Sequence, residues 1–253
     1  MVEKRAVLVV DVGGTNVKVL ATGETERRRA PSGPSLTPAE MVAAALEAAR
    51  GWHWEVVAVG VPAPVRRGRL LAEPFNLGKG WVGFDYEAAF GVPTRVVNDA
   101  AMQAIGSYEG GTMLFLGLGT GLGSALVVDG TVEPMEIGHL AFKKATFEDY
   151  LGERGLQRLG RKRWQKLVFE AVAQLAEALE PDSVVLGGGN AVKLDALPAY
   201  VRLGANDNAF RGGFRLWSTE GDEQGSTARF SEASPDAPHR AHPIAGADSG
   251  SDR

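Results

Sequence analysis

Twice along this chain a short apolar run rich in β-branched residues breaks at a cluster of glycines and then resumes. The first instance is Ala6–Val10, the turn Asp11-Val12-Gly13-Gly14-Thr15-Asn16, and Val17–Ala21; the second is Met113–Leu116, the loop Gly117–Gly123, and Ser124–Val128. Each predicts two strands joined by a tight glycine turn, with helical material further on. A repeated unit of this kind predicts an α/β molecule of two related lobes facing a cleft. The boundary falls near residue 100, giving an N-terminal lobe over 1–100 and a C-terminal lobe over 101–217. From about Ser218 the composition turns to Ser, Asp, Glu, Gly, Ala and Pro, with Phe230 and Ile244 as its large apolar residues. Residues 218–253 thus have too little apolar surface to offset the entropy of ordering, and a disordered tail is expected.

Between the glycine turns the punctuation is clear. Thr37-Pro38-Ala39-Glu40 starts a helix, with Thr37 as cap, Pro38 in the first turn and Glu40 closing a capping box; that helix runs to about Arg50. Glu55–Gly60 is a strand stopped by Val61-Pro62-Ala63-Pro64, and the short strand Arg95–Val97 delivers Asn98-Asp99 to its end. Asp129-Gly130 is a hairpin signal. Trp164–Glu180 carries Leu167, Val168, Ala171, Val172, Leu175 and Leu179 on one helical face, and Pro181 ends it. Ser183–Leu186 is a strand running into Gly187-Gly188-Gly189-Asn190.

Composition excludes several classes. Glycine accounts for 33 of 253 residues, well above the usual share of about 7%. There is no cysteine, so disulfides and thiolate metal sites cannot form, which fits a reducing compartment. A net charge of −4 argues against general nucleic-acid binding. The apolar stretch before Asp11 is too short for a signal-peptide core. The uncharged run Gly110–Val128 holds too many glycines and hydroxyls for a membrane span. A cytoplasmic protein with no membrane partner is expected.

Neither glycine loop is a standard phosphate motif. A P-loop ends in Gly-Lys-Ser/Thr, which both lack. A dinucleotide fingerprint needs Gly or Ala five positions after its first glycine and then a helix. Counting from Gly117, Gly119 and Gly187 gives Leu122, Ser124 and Val192 instead. Each loop alone could be an ordinary hairpin. As a pair they suggest bare backbone that can point N–H groups at an anion, with Thr15 and Thr120 adding hydroxyl donors and Asp11 placed to hold hydrated Mg²⁺.

The segments Asp11–Lys18, Gly60–Val65, Val97–Ala100, Leu116–Gly123, Glu136–His139 and Val185–Asn190 occur in an order that resembles the ROK family of actin-like sugar kinases. Within that family the chain is most similar to the polyphosphate glucokinase branch, over roughly residues 5 to 217. The resemblance implies a two-lobed actin-like (ribonuclease H-like) α/β fold with a cleft between the lobes. It implies phosphoryl transfer from polyphosphate or ATP to glucose, giving glucose 6-phosphate, with Mg²⁺. Asp99 becomes the base that takes the proton of the sugar hydroxyl, and Asn98, Asp99, Glu136, His139 and Glu148 the residues that grip the sugar. Asp11, Gly13, Gly14, Thr15, Asn16, Lys18, Gly119, Thr120 and Gly121 then face the phosphates, with Asp11 as metal ligand, and Gly187, Gly188 and Gly189 form the turn that contacts a nucleotide.

Departures from the family pattern matter. Most ROK proteins carry a cysteine-rich zinc site near the histidine matching His139; without cysteine that site cannot form, and His139 contacts sugar or packs. The basic run Arg154, Arg158, Arg161, Lys162, Arg163 and Lys166, with Lys143 and Lys144 before it, could guide a polyanionic chain or simply be a solvated face. Tyr150–Arg154 and Gly160–Trp164 resemble the polyphosphate branch, which tilts the donor that way while ATP stays open. The acceptor stays open too: another hexose or an N-acetylated hexosamine is the alternative. A non-catalytic sugar-responsive ROK regulator is a further one, although such proteins place a DNA-binding helix-turn-helix ahead of the kinase-like region and the first strand here starts at Ala6. The family is commonly homodimeric; no sequence feature here fixes an interface.

Overall fold

The computed structural model describes residues 5–205, 207–218 and, as backbone, 229–230. The first glycine hairpin is β1 (Val7–Val12) and β2 (Asn16–Ala21), followed by β3 (Arg28–Pro31), α1 (Pro38–Ala48), β4 (Val56–Val61), the small hairpin β5 (Val65–Arg66) and β6 (Arg69–Leu70), α2 (Tyr86–Phe90), β7 (Thr94–Asn98) and α3 (Asp99–Ser107). The second begins with β8 (Thr112–Leu118) and β9 (Leu122–Val128), then β10 (Thr131–Met135) and the hairpin β11 (Ala141–Phe142) and β12 (Ala145–Thr146). Helices α4 (Phe147–Leu151), α5 (Glu153–Leu159) and α6 (Arg161–Leu179), β13 (Ser183–Gly187), β14 (Val201–Leu203), α7 (Asn208–Arg215) and β15 (Arg229–Phe230) complete the described chain. Apart from Ser218 and the backbone of β15, which pairs with β10, the expected disordered tail lies outside the described residues.

The duplication read from the glycine turns is a duplication of topology. One sheet is ordered β3-β2-β1-β4-β7 and the other β10-β9-β8-β13-β14, with β15 beyond β10. In each, an antiparallel three-strand meander is extended by two parallel strands. Parallel strands need crossovers; the crossover helices α1 and α2 cover the outer face of the first sheet and α6 that of the second, while α3 and α7 cover the inner faces. Period-two alternation divides β1 accordingly: Leu8 and Val10 enter a core with Met41, Ala45 and Trp81, whereas Val7 and Val9 face α3 and α7. The apolar face predicted for 164–180 is the buried stripe of α6, with Trp164, Val168, Ala171, Val172 and Leu175 against the outer face of the second sheet.

Helices α3 and α7 lie between the two sheets in one continuous core. Glycine sets their approach. A Cβ on Gly106 would sit 1.9 Å from the Asn208 carbonyl oxygen, and one on Gly212 would sit 1.8 Å from that of Met102. Gly213 brings α7 onto Val9 of β1, and Gly60 admits Met102 of α3 against β4. The last helix among the described residues thus packs on the first strand. Trp217 continues this contact, its indole N–H donating to the Val57 carbonyl at 3.0 Å.

The Thr37–Glu40 capping box forms as expected. The Gly110–Val128 run folds into the β8–β9 hairpin, and among the described residues no helix is long and apolar enough to cross a membrane.

Candidate active site

Register assembles the site before any side chain is considered. Asp11 pairs with Gly60, and Gly60 with Val97, so β1, β4 and β7 end together and place Asp11 and Asn98-Asp99 on one carboxyl edge. In the second sheet Gly117 pairs with Gly187, which puts the Gly117–Gly123 loop and the Gly187–Asn190 turn side by side on the equivalent edge. Carboxyl edges of parallel strands are where open α/β sheets bind ligands.

Asn98 and Asp99 open α3. The Asn98 side chain caps the helix by accepting from the Ala101 N–H at 3.1 Å, and its amide donates to the Ala63 carbonyl at 3.1 Å. Asn98 is therefore the helix cap, and it fixes Asp99 at the first helical position. Asp99 accepts from the Ala100 N–H at 2.8 Å. A Cβ on Gly123 would stand 2.8 Å from Ala100, so the glycine of the second loop lets this turn of α3 come directly against β9. Burial, reinforced by the charges of Asp11 and Glu136, pushes the Asp99 carboxyl up to about 7. Asp11 and Glu136 thus lie near enough to Asp99 for their charges to act on it.

Glu136 lies just before the short 3-10 turn Ile137–His139. Its carboxyl is held above the usual range by desolvation and by Glu148, against the opposing influence of His139. Glu148, in α4, lies against the second glycine loop: its carboxylate accepts from the Leu122 N–H at 3.3 Å and occupies the space a Gly121 side chain would need. Arg154 stands 3.9 Å from it. Glu136 is thus brought near His139 and Glu148 on one side and Asp99 on the other.

The two glycine loops differ in support. Gly13, Gly14 and Thr15 form an open hairpin closed by the Gly13 N–H on the Asn16 carbonyl at 3.0 Å. Lys18 holds Asp11 at 3.2 Å. The second loop is braced: the Gly119 carbonyl accepts from the Glu153 N–H at 2.9 Å and from the Asn190 amide at 3.2 Å. Within the expected nucleotide turn, Gly187 is buried under the Phe115 ring and Gly188 uses a φ of +82° to lie against Leu118. Gly189 is exposed, with nothing near the position of a Cβ.

Three neighbours of these loops escaped the sequence reading. Asn76 faces Gly14, Glu153 braces Gly119, and Lys193 reaches the Asn190 side chain at 2.8 Å. Asn76 and Lys193 lie in no motif, and Glu153 only in the Tyr150–Arg154 segment; the neighbouring glycines were the available signal. The basic run is also divided. Arg161 donates to the Lys193 carbonyl at 2.6 Å and to Asp195 at 2.5 Å, and Arg158 to the Asp149 carbonyl at 2.9 Å. Lys162, Arg163 and Lys166 are exposed on α6.

Among the described residues no group of three or more His, Cys, Asp or Glu side chains is arranged to hold a metal. A single carboxylate such as Asp11, at the carboxyl edge of the first sheet, nevertheless suits Mg²⁺, which keeps most of its waters and takes one or two carboxylates together with substrate phosphates.

No family model matches the chain. Among curated proteins it is 27% identical over 212 residues to the polyphosphate glucokinase of Mycobacterium tuberculosis (strain H37Rv), covering 74% of this chain and 78% of that one. It is 33% identical over 140 residues to the N-acetylmannosamine kinase of Salmonella paratyphi A, covering 49% and 47% respectively. The fold matches the inorganic polyphosphate/ATP-glucomannokinase of Arthrobacter sp. strain KM with a TM-score of 0.73 at 24% identity, over 84% of this chain and 98% of that one. It also matches a ROK family glucokinase from Streptomyces griseus, solved with glucose and AMPPNP, with a TM-score of 0.67 at 18% identity, over 84% and 99%.

Proposed function

We propose that this chain, whose relatives and structural neighbours are ROK-family sugar kinases, transfers a phosphoryl group from polyphosphate or ATP to a hexose, with glucose as the acceptor and glucose 6-phosphate as the product. The observation that carries the reading is Asp99: a carboxylate fixed at the start of α3, between the two glycine loops, and raised into the range where it can take up a proton near neutral pH.

Phosphoryl transfer asks a protein mainly for positioning and charge neutralisation. Asp99 accepts the proton of the attacking sugar hydroxyl. Asn98 positions it, and Glu136, His139 and Glu148 hold neighbouring hydroxyls, where an unmatched polar group penalises the wrong sugar. The lobes over 1–100 and 101–217 contribute one glycine loop each to the donor. Asp11, steadied by Lys18, would hold Mg²⁺, and the metal would offset phosphate charge. Polyphosphate is favoured as donor by the relatives and by the free cations on α6; a dimeric cytoplasmic enzyme is the accompanying expectation.

The purified protein, given Mg²⁺ and each pairing of polyphosphate or ATP with glucose, mannose, fructose, N-acetylglucosamine or N-acetylmannosamine, is expected to form glucose 6-phosphate. Transfer confined to an N-acetylated hexosamine would move the acceptor to the alternative reading. No transfer to any of them from either donor would defeat the kinase reading.

A further inference from the structure

Gly119 and Gly189 stand apart from most of the site's glycines. Neither has a positive φ, and no atom lies within 4 Å of where a Cβ would go on either. Backbone conformation and packing therefore do not call for glycine at these two positions, and the bare backbone there lets a ligand approach closely. They occupy adjacent loops, joined by the buried Asn190, which donates its backbone N–H to the Leu118 carbonyl at 2.9 Å and its amide to the Gly119 carbonyl at 3.2 Å.

One cation overlooks this bare backbone. The Lys193 amine donates to the Asn190 side-chain oxygen at 2.8 Å, and its nearest carboxylate, Glu153, is 3.9 Å away. An ammonium has three N–H donors, so this arrangement leaves capacity unused. The side chain is 43% exposed, yet its base is fixed, because Arg161 clamps the Lys193 carbonyl and the following Asp195. Arg161 of the basic run thus serves as a brace for the turn that carries Lys193.

We propose that Lys193 is a ligand of the donor's phosphoanhydride chain, holding phosphates laid across Gly119 and Gly189, with Glu153 as the neighbouring carboxylate whose charge it offsets. This deepens the kinase reading and rests on it; the chemistry is shared by polyphosphate and by the triphosphate of ATP. A cation pinned beside bare glycine backbone is a suitable partner for an oxyanion chain.

Calorimetric titration of tripolyphosphate, and separately of ATP, each with Mg²⁺, into the wild-type chain and into Lys193→Ala, Lys193→Arg and Gly189→Ala tests this directly. Lys193→Ala is expected to weaken donor binding about tenfold or more, as for a lost hydrogen bond to a charged group, with Lys193→Arg recovering much of it and glucose affinity unchanged. Gly189→Ala is expected to leave the thermal midpoint unchanged or raised, since the site is open, while still weakening the donor. A loss seen with one donor only supports the proposal and identifies which chain reaches Lys193. If Lys193→Ala does not fold, Lys193→Gln keeps the stem and removes the charge. Unchanged affinity for both donors in a folded variant, or no wild-type affinity for either, overturns the proposal. A wild type that binds donor but phosphorylates no hexose would defeat the kinase reading alone.

Discussion

At the scale of single residues, Asp99 makes opposite demands on stability and on activity. Its carboxyl titrates near 7 in the folded chain against an ordinary value of 3.8. Between those values the folded state binds a proton that the unfolded chain has released, so its stabilising contribution is complete below about pH 4 and is lost as the pH rises toward 7. Asp99→Asn should therefore raise the melting temperature at pH 8 by a few degrees and leave it nearly unchanged at pH 4; an equal shift at both would remove ionisation as the cause. A base must be unprotonated, so kcat/KM should climb with pH along an acid limb centred near 7. Glu136→Gln removes one of the charges that raise Asp99, and should move that limb to lower pH while increasing the KM for sugar. A limb that stays in place would show that Glu136 does not act on Asp99.

At the scale of elements, the helices that matter most were the least legible. Pattern and capping gave α1 and α6, because each has one apolar face and clear end signals. Helix α3 was not foreseen. It lies between two sheets, is buried almost all round, and at nine residues is too short for its pattern to stand out. In α7 the paired Gly212-Gly213 lowers helix propensity, yet those residues permit its contact with α3 and β1. Gly106→Ala or Gly212→Ala drives a methyl into backbone, which should cost about 3 kcal/mol, or roughly 6–12 °C in a chain of this size. Calorimetric melting checks this, and a shift under about 2 °C would mean that the helices separate easily. On α6, converting Lys162, Arg163 and Lys166 together to Glu should impair polyphosphate use more than ATP use. Equal effects on the two donors would reduce this face to a solvated surface.

At the scale of the whole molecule, the legible part was the repeat. Two strand–glycine–strand units correctly implied two similarly built sheets, since period-two apolar runs and glycine turns are local signals. The placement of α7 on the first sheet was not legible, because it depends on a contact between residues 9 and 213 that no local pattern records. The same holds for the candidate site. Asp11, Asp99 and the loops lay in motifs, whereas Lys193, and the brace that Glu153 gives Gly119, gain meaning only when segments far apart in sequence are set side by side. The central claim is that this repeated frame exists to hold Asp99 against a sugar hydroxyl. Its most direct test is the rate of glucose 6-phosphate formation by Asp99→Asn, measured beside calorimetric glucose binding. Turnover should fall by about 10²–10⁴-fold while glucose affinity stays close to that of the wild type; turnover that persists would contradict the account.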